Sequence, residues 1–106
     1  MKIIDGMLGC PLCGDTNGLH HATVEIWDQN EDADTGLHVM VDRADPWKAG
    51  ILTADTSMAG NPSSRRHGMK IKFFCELCGS WSFVSLAQHK GATEVTTGAA
   101  AGPELA

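Results

Sequence analysis

Alternating apolar and polar side chains mark four segments of the chain as strands. In Leu19–Trp27, Val24 and Ile26 fall on one face while Thr23, Glu25 and Trp27 fall on the other. Leu37–Asp42 alternates again, with Leu37, Val39 and Val41 on one side, and predicts a second strand antiparallel to the first. Met69–Phe74 predicts a third strand and Trp81–Lys90 a fourth, and Ala49–Thr53 can add a short one. Asp28–Gly36 is acidic and lacks apolar periodicity, so it reads as a solvated hairpin loop. Residues 43–68 carry Asp45-Pro46, Asn61-Pro62-Ser63-Ser64 and several glycines, which predicts a long irregular loop. Residues 91–106, rich in Gly, Ala and Thr, read as a flexible C-terminal tail. No segment sustains the helical period. The expected fold is mainly β, with residues 1–90 as one domain.

The candidate chemistry lies in two copies of one pattern, Cys10-Pro-Leu-Cys13-Gly14 and Cys75-Glu-Leu-Cys78-Gly79, which together use all four cysteines. A Cys-x-x-Cys turn aims two sulfurs at one ion, and the following Gly supplies a positive φ. Two such turns provide four thiolates, the donor set of a closed tetrahedral zinc site. Cys10, Cys13, Cys75 and Cys78 are therefore the expected ligands of one structural Zn(II). The alternatives are a redox Cys-x-x-Cys, two disulfides, or an iron site of the same geometry. The first calls for one motif opening a helix, and the second for an oxidising compartment.

The two turns, with strands on both sides of the second, resemble a zinc ribbon. The likeness extends to small zinc-ribbon proteins of phages and actinobacteria, and it implies a small β domain built on the metal. Here 61 residues, Gly14 to Phe74, separate the turns, against a few tens in most ribbons. The expected architecture is thus a zinc ribbon with an insertion over residues 15–68 containing a β-hairpin and a long loop.

Size and charge refine this picture. A chain of 106 residues is one domain with a thin core, the situation in which a metal staple matters most. Residues 1–60 hold ten acids against three bases, a net of −7, while residues 61–106 hold three against five, a net of +2. No apolar run approaches a membrane span, and Met1-Lys2-Ile3-Ile4-Asp5 offers no signal-peptide core, so the chain reads as cytoplasmic.

Two charged surfaces emerge. The acidic lobe Glu25, Asp28, Glu31, Asp32 and Asp34 would suit a basic protein partner, for a phage-type protein a nucleic-acid enzyme of its host. Arg65, Arg66, Lys70 and Lys72 would suit nucleic acid, unless they pair internally with the 25–34 segment. Trp81 and Phe83 can stack on bases or, in the plainer reading, form the core beneath the second turn. The leading expectation is a non-catalytic, zinc-stabilised protein-binding module, with a nucleic-acid-binding ribbon second. A third reading, similar to an HNH-type nuclease, takes His20, His21, Asn61 and His67 as its site. That family uses a ββα unit, and no helix is predicted here. Deaminase, zinc-protease and α/β-hydrolase motifs are absent from the sequence.

Overall fold

The computed structural model describes residues 1–43 and 47–100. The mainly β expectation holds: eight strands and no helix occur among the described residues. Two short strands, β1 (Ile3–Ile4) and β2 (Met7–Leu8), form a hairpin. The other six are β3 (Leu19–Asp28), β4 (Leu37–Asp42), β5 (Ile51–Asp55), β6 (Gly68–Cys75), β7 (Trp81–His89) and β8 (Ala92–Ala99). They build one antiparallel sheet in the order β5-β4-β3-β6-β7-β8. Two three-stranded meanders are thus joined through β3 and β6 at the sheet centre. Residues 15–68, read from sequence as an insertion, contribute β3, β4 and β5, half of this sheet.

Two hairpins were not anticipated, and both turn on a left-handed pair ending in glycine. Asp5 (φ 50°) and Gly6 (φ 78°) join β1 to β2, and Lys90 (φ 49°) and Gly91 (φ 83°) join β7 to β8. Positive φ at both central residues matches the twist of the flanking strands. The flexible-tail expectation is therefore corrected for Ala92–Ala99, which pairs with β7 from Ser82↔Ala99 to His89↔Ala92. Thr93, Val95 and Thr97 supply the β-branched residues this strand needs. Residues 101–106 of the expected tail lie outside the described residues.

Directly opposed residues share a face of the sheet. One face therefore carries two rows that cross all six strands. The first is Leu52, Val41, Val24, Ile71, Val84 and Thr97; the second is Ala54, Val39, Ile26, Met69, Leu86 and Val95. None of these side chains is buried. The other face carries Thr23, Glu25 and Trp27 of β3 with Lys70 and Lys72 of β6, and here Thr23, Glu25, Trp27 and Lys72 are all buried. Part of its cover is the loop between β5 and β6: Gly60 lies against the Trp27 ring, and Asn61 and Pro62 crowd Gly68 so closely that no Cβ fits there. Among the described residues, the buried apolar side chains are Cys10, Ala22, Trp27 and Cys75. No described helix is long and apolar enough to cross a membrane.

Candidate metal centre

Both cysteine turns close on the same hydrogen bonds. Gly14 N–H donates to Cys10 C=O and Gly79 N–H to Cys75 C=O, each at 2.8 Å. Cys10 N–H donates to Asp15 C=O and Cys75 N–H to Ser80 C=O, each at 2.9 Å. Gly14 (φ 80°) and Gly79 (φ 70°) take the left-handed conformation that lets each turn fold back beneath its sulfurs. The first turn leads into β3 and the second joins β6 to β7. Because Leu19 pairs with Cys75, the β3–β6 pairing itself brings the two turns together. Glu76 N–H donates to Gly18 C=O at 2.9 Å, and Leu77 fills the space where a side chain at Gly18 would stand.

The four sulfurs lie within 4.8 Å of one another. Cys10 Sγ is 3.8 Å from Cys78 Sγ, and Cys13 Sγ is 3.7 Å from Cys75 Sγ. A tetrahedron with Zn–S bonds of about 2.3 Å has S···S edges of about 3.8 Å. Two of the six edges already match this length, and the donor set fits a tetrahedral ion such as Zn(II). All four thiols are unbonded to one another, with Cys10 and Cys75 buried and Cys13 and Cys78 exposed.

The thiols also divide electrostatically. Burial raises Cys10, but the backbone N–H groups of Cys13 and Leu12 and the neighbouring thiols outweigh it and bring its pKa down to about 6. The Asp15 backbone N–H lowers Cys13, yet burial and the three other sulfurs prevail and push it up to about 12. The Ser80 hydroxyl, 2.7 Å from Cys78 Sγ, is the largest influence lowering Cys78. Thiolates this close repel one another, so full ionisation of the cluster calls for a bound cation. Ser80 was missed in the sequence; its only signal is its place after Gly79.

The charged candidates are placed differently. Glu25, assigned from sequence to the acidic lobe, is buried. His38 Nε2 lies 2.9 Å from Glu25 Oε2 and His38 Nδ1 lies 3.0 Å from Asp55 Oδ1. The Trp27 ring stacks on His38 at 4.9 Å with 5° between planes. Glu31 and Asp32 remain at the surface and face the basic loop. Arg65 contacts Glu31 at 3.1 Å and Asp32 at 2.6 Å, and Arg66 contacts Glu31 at 2.7 Å. Asp28 pairs with His67 at 3.1 Å, and Asp34 is exposed. The internal pairing weighed from sequence is what joins these two loops. Lys70 and Lys72 do share a face, but Lys72 is 2% exposed and Lys70 Nζ sits 5.2 Å over the Phe83 ring. The four basic residues therefore do not form one outward patch. Trp81 packs on Phe74 at 5.3 Å beside the second cysteine turn.

His20 and His21 begin β3, whereas His67 precedes Gly68, the partner of Trp27 near the far end of that strand. At about 3.3 Å per residue, roughly 20 Å separates them. Asn61 is committed to the far end as well, donating to Gln29 Oε1 and to Arg66 C=O. The structure does not assemble these four residues into one site. No family of known proteins, curated protein sequence or solved structure matches the chain.

Proposed function

We propose that the chain is a zinc-stapled β domain of the zinc-ribbon type that binds protein and is not an enzyme. The observation supporting this most directly is the sulfur geometry: edges of 3.7 and 3.8 Å fit a ZnS₄ tetrahedron, which leaves no coordination position for substrate or water. A site of this kind stabilises and does not react. Four reduced thiols suit a reducing compartment such as the cytoplasm. Protein is favoured over nucleic acid as the partner because Arg65 and Arg66 are engaged by Glu31 and Asp32, and Lys72 is buried. The large uncharged surface is instead the apolar face of the sheet. Native mass spectrometry of protein purified without chelator is expected to show one Zn(II) per chain. Metal-free protein with two disulfides would refute the staple, and iron at the site would refute zinc as its ion.

A further inference from the structure

We propose that the apolar face of the six-stranded sheet is covered by a second copy of this chain, packed sheet against sheet about a two-fold axis. This rests on the reading of the chain as a binding module and names the partner.

The face lacks a layer. Small domains are built of at least two layers enclosing an apolar core. Here the central positions Val24 of β3, Ile71 of β6, and Val84 and Leu86 of β7 are only half-buried on this side. Ile26 is 43% exposed although it sits in a central strand.

The dimensions and the charge select the occupant. Six strands about 4.8 Å apart and about eight residues long present roughly 700 Å². Two such faces bury about 1,400 Å², within the range of a stable interface. The two central rows contain no ionisable side chain; His21, opposite Phe73, and Asp28, paired with His67, lie towards the two ends of β3 on this face. A charged partner would find no counter-charge in these two rows. An equally uncharged, twisted sheet fits, and the chain's own face is one. A two-fold axis makes this face complementary to itself. The net charge of −5 is carried by the other face, the loops and the ends, so it need not be desolvated. Beside Ile26 the face dips into a groove of about 410 Å³ floored by Met69 and Leu86, which can receive side chains of the facing copy.

The test is the mass of the metal-loaded full chain by sedimentation equilibrium between about 1 and 100 μM, with zinc measured on the same samples. Twice the 11.3 kDa monomer mass is expected for the unaltered chain. Ile26→Lys places a charge where the monomer is already open to water, so folding and zinc content are preserved. It is expected to raise the dimer dissociation constant at least 100-fold. A monomer at 100 μM with one zinc per chain would overturn the dimer and leave the staple standing. A dimer that Ile26→Lys leaves intact would place the contact elsewhere, for example along the edges of β5 or β8, and would overturn the proposal equally. Absence of zinc would refute the staple whatever the mass.

Discussion

On one face of the central sheet polar side chains are buried; on the other, apolar side chains are half-buried or exposed. One row runs Thr53, Met40, Glu25, Lys70, Ser85 and Thr96 across the strands, with Glu25 and Ser85 buried, and the row behind it runs Leu52, Val41, Val24, Ile71, Val84 and Thr97, with none buried. What decides burial here is which face the β5–β6 loop crosses, not which face is hydrophobic. That loop is fixed by polar contacts: Asn61 holds Gln29 and Arg66, and the Ser63 hydroxyl donates to Gln88 C=O at 2.9 Å. A polar interior is stable only while its groups remain partnered. An apolar exterior is tolerated only if something covers it.

The largest effect should erase the comparison altogether. Structural zinc contributes about 10–16 kcal/mol in small peptides, comparable to the entire stability of a domain. Cys75→Ser, or chelation at neutral pH, is expected to release the metal and abolish the cooperative thermal transition followed by circular dichroism. Next come substitutions that separate the two faces, measured by urea unfolding of zinc-loaded protein in the Ile26→Lys background. Trp27→Ala empties the largest fully buried position and is expected to cost about 3–5 kcal/mol. Trp27→Phe should cost much less, because the indole N–H meets no acceptor among the described residues. By contrast, Val95→Thr on the open face should stay within about 0.5 kcal/mol. Equal losses at Trp27 and Val95 would erase the distinction.

Glu25→Gln keeps the volume but weakens the contact to His38, and about 1–3 kcal/mol should be lost. The smallest effect is in acid. The Ser57 backbone N–H, followed by His38, holds the Asp55 carboxyl below its ordinary value. The folded state therefore binds fewer protons there than the unfolded one. The contribution is complete above the ordinary carboxylate range and fades as pH falls through the lower folded value. Asp55→Asn is expected to flatten that part of the stability–pH curve by removing a small contribution at neutral pH, and to leave stability below the folded value almost unchanged.

The cysteine turns and four of the strands were legible because each is a local pattern. Cys-x-x-Cys-Gly needs only five residues, and Val24/Ile26 against Thr23/Glu25/Trp27 needs only a period of two. The N-terminal hairpin and β8 were also local, signalled by Asp5-Gly6 and Lys90-Gly91, but small or sparse apolar residues around those turns hid the alternation. Two features could not be read locally. Periodicity separates the faces of β3 without saying which one a loop will cross, so Glu25 looked like surface. The central β3–β6 pairing joins Val24 to Ile71 across nearly half of the chain. Charge patterning fared better, since Arg65 and Arg66 met the acidic loop as one of the weighed readings anticipated.

The separation of the metal ligands along the chain also sets an order of events during synthesis. Cys13 and Cys75 are 62 positions apart. At about 5–20 residues per second, roughly 3–12 s pass between their emergence from the ribosome. Throughout that interval Cys10 and Cys13 are without the other two thiols of the cluster, and β3 waits without its neighbour β6. The hairpin of β6 and β7 then delivers Cys75, Cys78 and the sheet's missing central strand together. Capture of the ion and closure of the sheet are thus one late step, and an oxidant that reaches the first thiol pair beforehand can forestall both.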